Sequence, residues 1–333
     1  MMNATGGETS EELLLQTYVL YDRYVDIVSA FHWLFTEVEG MRETVRRFDR
    51  YPRVTLSDGR EVTPDFAVLF SDGRAYIAEI ANIPLHDNGF DGLAKQLLAY
   101  DEIATLMDAD GTEVVLTSCD VVLITRFGDG TDAHNRLQTR LHDLEHPYKP
   151  KSLPVVLQYA HESDRYTFAR LPIEGNPRLT PAAEGRDFGE FADLKVKPGR
   201  FARVKAQHAF MNDPIDALYL ATFLWSKVFP SVHGVDDFET TAIDIAKTLR
   251  RQYGVGRVTD AEHAMDLLVR AGLATQIKGK SKRWTVRRRA MRTAGEDVHE
   301  RIAKRVGPAL DKSRAVAESK SRRKEMEGQG ALF

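Results

Sequence analysis

The sequence predicts an α/β fold in which a mixed sheet is flanked by helices, followed by a smaller α+β unit. Residues 54–80 alternate apolar and polar positions around two turns with the same letters, Ser-Asp-Gly-Arg at 57–60 and at 71–74. Asp-Gly between alternating runs is a strong hairpin signal, so we expect a three-stranded antiparallel meander. Helical patterns precede and follow the meander, and the apolar run 120–125 predicts a buried strand. Together these elements predict a mixed sheet covered by helices.

The composition of the chain varies enough along its length to predict four segments. Proline and glycine are concentrated between residues 172 and 212, which favours a domain boundary there. We expect a first domain at 10–171, a linker or edge-covering segment at 172–212, a second domain at 213–292, and a charged helical tail at 293–333.

The overall composition is ordinary for a globular chain, with 43% hydrophobic and 29% charged residues in a length of 333. Cys119 is the only cysteine, which excludes a disulfide framework or a cysteine-based zinc site within one chain. No run reaches the roughly 18 apolar residues of a membrane span. No basic region precedes the first apolar residues, which argues against a signal peptide. We therefore expect a cytoplasmic protein with no membrane partner.

Two carboxylates lie in the meander, Asp65 at the start of its second strand and Glu79 in its third. A two-residue loop at 72–73 would direct them to opposite faces of the sheet, because a one-residue slip reverses every side chain. A three-residue loop at 71–73, closed by Gly73 with positive φ, puts Asp65 opposite Glu79. Their Cβ atoms would then lie about 5 Å apart, close enough to share a divalent cation. We favour the three-residue loop, since glycine stands where positive φ is required.

The order Pro64-Asp65, Glu79 and then Gln96-x-x-x-Tyr100 is informative as a set. Singly, each carboxylate would be interpreted as a solvated or hairpin-pairing residue. Gln96 and Tyr100 are spaced i,i+4 and therefore share one helix face. Over roughly residues 10–170, the chain resembles the PD-(D/E)XK nuclease superfamily, and the glutamine–tyrosine pair is similar to the helix motif of its RecB-like members.

The resemblance implies the restriction-endonuclease-like fold, with Asp65 and Glu79 binding Mg²⁺ or Mn²⁺ and with Gln96 and Tyr100 positioning the nucleic acid or the water. The family has a lysine two residues after the glutamate that helps to activate water. This chain departs from the family there, because the position is Ala81. Lys95, beside Gln96, is the nearest candidate substitute.

The second domain has helical patterns at 215–229, at 238–253 and after Thr259, followed by two short strands around a basic turn. Three helices and a hairpin in this order resemble a winged helix-turn-helix. The segment around the hairpin is basic and contains no acidic residue, which is typical of a phosphate-binding surface. The candidate nucleic-acid contacts are Lys278, Lys280, Lys282, Arg283, Trp284 and Arg287. Because the third helix has an acidic start, we expect contacts to the DNA backbone and little sequence readout.

The tail ends in Gln329-Gly330-Ala331-Leu332-Phe333, after a strongly polar stretch. It resembles the short peptide that binds the bacterial sliding clamp, in which a glutamine is followed after two residues by Leu-Phe. The resemblance implies that Gln329, Leu332 and Phe333 bind such a partner, and an apolar pair at the end of a polar tail fits that role. The alternative is that Phe333 packs on its own domain.

Taken together, these expectations predict a metal-dependent DNA endonuclease or exonuclease that hydrolyses phosphodiester bonds. Its basic second domain would bring it to DNA. We therefore expect it to be associated with the nucleoid. The alternative is a catalytically inactive, nuclease-fold DNA-binding or adaptor protein, which Ala81 favours. A transcription regulator is a third interpretation, disfavoured by the large N-terminal α/β domain.

His134, His142 and His146 follow no metal-ligand pattern in the sequence, because no carboxylates are spaced to match them. We interpret all three as surface histidines.

Overall fold

The computed structural model describes residues 9–151, 153–171, 194–208, 211–212, 214–234, 236–277, 279, 282–288 and 297–312. The chain forms two compact units, one of residues 26–210 and the other of residues 1–25 together with 211–333. The boundary between them falls within the first helix, α1 (Ser10–Glu37). The sequence had assigned residues 10–25 to the N-terminal domain, whereas the structure groups them with the C-terminal unit.

The contacts of the first half of α1 explain this grouping. The ring of Tyr18 stacks on His299 at 4.2 Å between centroids, and the Tyr21 hydroxyl donates a hydrogen bond to the carbonyl of Asn212 at 2.9 Å. The helix begins with a capping box, in which the backbone amide of Thr9 donates to Glu12 at 2.9 Å and the amide of Glu12 donates to Thr9 Oγ1 at 3.2 Å.

The larger unit is an α/β unit with a mixed seven-stranded sheet flanked by helices, as predicted. Its further elements are β1 (Val45–Arg50), β2 (Val54–Thr55), β3 (Glu61–Val62), β4 (Phe66–Phe70), β5 (Arg74–Ile80), α2 (Asp87–Asp101), β6 (Thr105–Met107), β7 (Glu113–Val115), β8 (Ser118–Arg126), α3 (Asp129–His142), β9 (Val155–Glu162), β10 (Arg165–Arg170), β11 (Leu194–Val196) and α4 (Pro198–His208). The strand order is β1-β4-β5-β8-β9-β10-β11, and the pairs β5–β8 and β8–β9 are parallel while the others are antiparallel.

The two faces of the sheet carry separate hydrophobic cores. On one face, alternate residues of β4 and β5, such as Val68 and Tyr76, pack with the second half of α1 and with Phe201 of α4. On the other face, the intervening residues, such as Leu69 and Ile77, pack against α2, α3 and the small hairpin β2–β3. Successive residues of a strand point to opposite faces of the sheet, and helices cover both faces here. Odd-numbered and even-numbered residues of β4 and β5 are therefore both buried.

The predicted three-stranded meander is only partly correct. The turn at 71–74 joins β4 to β5 in the main sheet, but the turn at 57–60 closes the separate two-stranded hairpin β2–β3. The outer partner of β4 is β1, which the sequence did not predict as a strand. Pro64 stands between β3 and β4 and cannot donate a ladder hydrogen bond, which explains why β3 does not continue into β4.

The predicted linker contributes to the larger unit. β11 pairs antiparallel with β10 and α4 follows it, so residues 194–208 add a strand and a covering helix to the sheet. The interpretation of His134 as a surface residue is wrong, because its side chain on α3 is buried. Residues 172–193 lie outside the described part of the chain.

The second unit contains α5 (Ala217–Phe223), a π-helical turn (Leu224–Val228), α6 (Phe229–His233), β12 (Phe238–Thr241), α7 (Ala242–Tyr253), α8 (Val258–Arg270), β13 (Ala274–Gln276), β14 (Arg283–Val286) and a helix α9 at 298–312. Its three strands form an antiparallel sheet in the order β12-β14-β13. The hairpin of β13 and β14 is the one that the sequence predicted.

The predicted helix at 238–253 is wrong in its first turn. Residues 238–241 form β12, and the helix begins at Ala242, after Thr241 caps it by accepting a hydrogen bond from the amide of Asp244 at 3.1 Å. The β-branched pair at 240 and 241 favours an extended strand. Gly254, with a φ of 71°, ends the helix in the left-handed conformation.

Candidate metal-binding site

The register of β4 and β5 determines whether the two acidic residues meet. Phe66 pairs with Ala78 and Val68 with Tyr76, which is the register predicted from a three-residue loop. Gly73 has a φ of 83°, and its amide donates to the carbonyl of Phe70 at 3.1 Å. The three-residue loop is therefore confirmed, and it brings the residue before β4 opposite the last two residues of β5.

Asp65 is that residue, and it is buried at 7% exposure. Its backbone amide donates to the carbonyl of Ala78 at 3.0 Å, and its Oδ2 accepts a hydrogen bond from the amide of Ile80 at 2.7 Å. These two contacts lie on either side of Glu79 along β5. The aspartate is thus anchored directly across the strand pair from the glutamate.

Glu79 is held from the helix that covers this face of the sheet. The hydroxyl of Tyr100 on α2 donates to Glu79 Oε2 at 2.9 Å, and Gln96 Nε2 donates to the oxygen of that hydroxyl at 2.6 Å. The same hydroxyl lies 3.3 Å from the carbonyl of Thr63. The i,i+4 pair predicted from the sequence therefore forms one hydrogen-bonded chain that ends on the glutamate.

The electrostatics of the pair are those of two carboxylates in a partly dry site. Burial, followed by the negative charge of Asp65, raises the pKa of Glu79 to about 8. Hydrogen bonds from Tyr100 and Gln96 and the charge of Arg50 oppose this shift. Burial and the charge of Glu79 in turn raise the pKa of the Tyr100 hydroxyl. Without an added cation, we therefore expect Glu79 to hold a proton at neutral pH.

Arg50, at the end of β1, is the positive charge that sequence reasoning missed at this site. Its Nη1 lies 3.2 Å from Asp65 Oδ1 and also donates to the backbone carbonyl of Asp65. The guanidinium lies 3.5 Å from the ring centroid of Tyr51, and Tyr51 has an unusual φ of 54° for a non-glycine residue. The available signal was the arginine-rich run at 46–50, but nothing local indicated that β1 would pair with β4.

Lys95, the cation that the sequence predicted for this site, lies on α2. Its side chain is exposed, and no contact described for Asp65 or Glu79 involves it. Ala81 packs with the core beneath α2, the face that also holds Tyr100 and Gln96, while Asn82 is exposed. The role of Lys95 in the reaction stays a prediction.

The predicted nucleic-acid contacts of the second unit differ in their surroundings. Trp284 is buried at 2% exposure, so its ring packs inside the unit and is not available to stack on a base, contrary to the prediction. Lys282 Nζ lies 2.6 Å from Glu262, and Arg283 Nη2 lies 2.7 Å from Glu239. Arg287 is exposed, with no side-chain partner among the described residues.

The remaining predicted site residues lie outside the described part of the chain. They are Lys278 and Lys280 in the hairpin turn and Gln329, Leu332 and Phe333 in the tail.

A second group of ligand atoms lies in the C-terminal unit. Carboxylate and imidazole atoms of Asp297, His299 and Glu300 lie within 4.8 Å of one another. The stacking of His299 on Tyr18 accounts for its position by packing alone. We assign no site to this group.

Comparison with known proteins identified no matching family model, no similar curated protein and no similar solved structure. Among the described residues, no helix is long and apolar enough to cross a membrane.

Proposed function

We propose that the larger unit is a metal-dependent phosphodiesterase acting on nucleic acid, with a restriction-endonuclease-like fold. The observation that supports this most strongly is the convergence of three elements on two carboxylates. Asp65 before β4 lies across from Glu79 of β5, and Tyr100 of α2 donates its hydrogen bond to Glu79. These are the residues, in the order along the chain, through which the sequence resembles the PD-(D/E)XK superfamily.

The chemistry of the donor set suits a hard divalent cation such as Mg²⁺ or Mn²⁺. Carboxylate oxygens are its preferred protein ligands, and Asp65 and Glu79 would hold it. Burial raises the pKa of Glu79 most, followed by the negative charge of Asp65, and a bound divalent cation would oppose both effects by favouring the ionised carboxylate. When bound, such a cation lowers the pKa of a coordinated water and stabilises negative charge on a phosphoryl oxygen.

The protein side chains around the pair have separate roles in this proposal. Tyr100 and Gln96 fix the Glu79 carboxylate in one orientation. Arg50 anchors Asp65 through an ion pair with its carboxylate and a hydrogen bond to its backbone carbonyl, and it places a fixed positive charge beside the acidic pair.

The test is cleavage of mixed duplex, single-stranded and branched DNA and RNA in Mg²⁺ or Mn²⁺. Asp65→Asn and Glu79→Gln should each lower cleavage at least a hundredfold, while binding of DNA by the full chain changes little. Arg50→Ala should also lower cleavage, with partial recovery in Arg50→Lys. Lys95→Ala tests the predicted substitute separately, since an unaltered rate would show that Lys95 has no part in catalysis. Cleavage that persists in both carboxylate variants would reject the proposal.

The second unit supports DNA binding by the same chain. Its elements run helix, strand, helix, helix, strand, strand, and the three strands pair in the order β12-β14-β13. This order resembles that of a winged helix-turn-helix, and we propose that the unit is such a domain whose hairpin contacts the phosphate backbone of DNA. The ion pairs of Lys282 and Arg283 reduce the free positive charge on the hairpin, which favours non-specific, modest affinity.

A non-catalytic, DNA-binding or adaptor role is the second candidate, favoured by a specific observation. Residue 81 is alanine, and the nearby cation, Arg50, is already bonded to Asp65. In that case Asp65 and Glu79 would remain as a structural pair. DNA binding with no cleavage in either metal, unchanged by both carboxylate variants, would support this role.

We also propose that the terminal residues Gln329, Leu332 and Phe333 recruit the chain to a bacterial sliding clamp. Two apolar side chains and one hydrogen bond, less the entropic cost of association, favour micromolar affinity. Truncation after Gly328 should abolish clamp binding, and equal binding with and without the last five residues would reject the motif.

A further inference from the structure

A cavity of about 220 Å³ lies in the larger unit at the edge of the sheet, where β1, the hairpin β2–β3 and the strand β6 meet. It is smaller than the pockets of roughly 300 Å³ or more that hold drug-sized ligands, which suits a single small group. The proposed reaction uses none of the residues that line it.

One wall of the cavity is polar and rigid. Arg47 Nη2 lies 2.6 Å from Asp49 Oδ2, and Arg47 Nη1 donates to the backbone carbonyls of Met107 at 3.3 Å and of Asp108 at 2.5 Å. Three acceptors thus fix the guanidinium in place. The Asp49 carboxylate also has a hydrogen bond with the backbone of Arg50, so two neighbours hold it in place on this wall.

The mouth of the cavity carries the positive charge of Arg53. Arg53 is exposed, and it forms no ion pair or side-chain hydrogen bond with any residue that the structure describes. Most other arginines of this unit do have such partners, as Arg47 and Arg50 show. An unpaired arginine beside a cavity is suited to a phosphate, because its planar fork matches phosphate oxygens.

The opposite wall is apolar. Val54, Leu69 and Leu106 line it, and all three belong to the core beneath α2. Met107, half exposed, stands beside them. Val54, Leu69 and Leu106 are at most 7% exposed, so a flat ring would touch their outer edges and Met107 while the edge of the ring faces Asp49.

The cavity borders the candidate metal site. Asp49 pairs with Ala67 across β1 and β4, and Asp65 lies two residues before Ala67. Two residues of strand span about 7 Å, and adjacent strands lie about 4.8 Å apart. Asp49 is therefore about one nucleotide step from Asp65, with its side chain on the face that α2 covers.

We propose that this cavity is a nucleotide subsite, which receives the base of a nucleotide next to the phosphodiester that would be cleaved at the Asp65–Glu79 site. The base lies against Val54, Leu69 and Leu106, and its phosphate faces Arg53. Beyond its contacts with Arg47 and the backbone of Arg50, the Asp49 carboxylate accepts a further hydrogen bond from an exocyclic amino group, so cytosine is preferred to thymine. The assignment of nucleic acid as the natural source rests on the proposed function, whereas binding of a mononucleotide does not.

The test is titration of the full chain, in metal-free buffer, with 5′-dCMP, 5′-dTMP, deoxycytidine and inorganic phosphate, observed through the methyl signal of Met107. We expect 5′-dCMP to shift this signal and to bind at least threefold more tightly than 5′-dTMP. It should also bind more tightly than either deoxycytidine or phosphate alone. Equal binding of all four, or no shift of the signal at millimolar concentrations, would overturn the proposal.

Two matched charge reversals distinguish a specific effect of Arg53 at the cavity from the effect of a change in the net charge of the protein. Arg53→Glu should weaken 5′-dCMP binding at least tenfold. Arg200→Glu, an equal charge change at an exposed position on α4, should change it less than twofold. Equal effects of the two variants would count against the subsite. Asp49→Asn should reduce the preference for cytosine, and an unaltered preference would contradict the role of Asp49.

Two different results distinguish a failure of the subsite from a failure of the nuclease proposal. If 5′-dCMP binds as described but no substrate is cleaved, the subsite stands and the metal chemistry fails. If cleavage depends on Asp65 and Glu79 but Arg53→Glu and Arg200→Glu behave alike in titration, the subsite fails and the nuclease proposal stands.

Discussion

The hydroxyl of Tyr100 lies 2.9 Å from Glu79 Oε2. This contact connects α2 to a residue of β5 whose ionised form is disfavoured by burial and by the charge of Asp65. Tyr100 is buried at 1% exposure, so this hydrogen bond is shielded from water. Because Glu79 is held in this environment only when the chain is folded, its protonation state at neutral pH should differ between the folded and the unfolded protein.

The stability of the metal-free protein should fall as pH rises from about 5 to 8. The pKa of Glu79 is 4.5 when unfolded and about 8 when folded, so the folded chain holds a proton in this window that the unfolded chain lacks. Folding is therefore most favoured below the unfolded pKa, and the free energy of unfolding decreases by at most about 1.4 kcal/mol per pH unit above it. Urea denaturation at several pH values measures the slope. Glu79→Gln should flatten it, whereas Glu145→Gln, at an exposed position, should not.

Removal of the Tyr100 hydroxyl should cost stability, whereas removal of a second buried hydroxyl should not. Tyr100→Phe loses the hydrogen bond to Glu79, and we expect about 1 kcal/mol less free energy of unfolding. Tyr148 is equally buried, but its hydroxyl has no hydrogen-bond partner among the described residues. Tyr148→Phe should therefore be neutral or stabilising. Equal losses in the two variants, measured by chemical denaturation, would contradict the hydrogen bond to Glu79.

Two helical glycines should respond in opposite directions to alanine. A Cβ atom at Gly130 of α3 would lie 2.8 Å from Cδ and Cγ of the buried Gln158, so Gly130→Ala should cost about 1–3 kcal/mol. A Cβ atom at Gly92 of α2 would meet no atom within 4 Å, so Gly92→Ala should stabilise by up to about 1 kcal/mol through helix propensity. Thermal unfolding compares the two. The double variant Gly130→Ala, Gln158→Ala should show less than the sum of the separate losses, and additive losses would exclude the steric explanation.

The hairpin of the second unit should bind DNA through its unpaired charge. Arg287→Ala should weaken affinity for all duplex sequences alike and reduce the slope of log K against log salt by about one. Glu262→Gln releases Lys282 from its ion pair and should strengthen binding. Fluorescence anisotropy at several salt concentrations measures both effects. If neither variant changes affinity, the hairpin is not the DNA-binding surface.

The local sequence was sufficient to predict the features of the site that depend on a few neighbouring residues. Gly73 in the loop at 71–73 sets the register of β4 and β5, because only a left-handed residue there closes a three-residue hairpin. The spacing of Gln96 and Tyr100 set their common helix face in the same way. These two local features paired Asp65 with Glu79 and Gln96 with Tyr100 correctly.

The tertiary structure decided every feature that depends on distant segments. The pairing of β1 with β4 brings Arg50 to Asp65, fifteen positions later in the chain. The pairing of β12 with β14 converts a predicted helical turn into a strand, and the packing around Trp284 buries a ring that composition alone had suggested was available to DNA. Local propensity is weak compared with the burial and backbone hydrogen bonding that a distant strand provides. The residues alone therefore indicated the acidic pair, whereas only the fold showed which cation accompanies it.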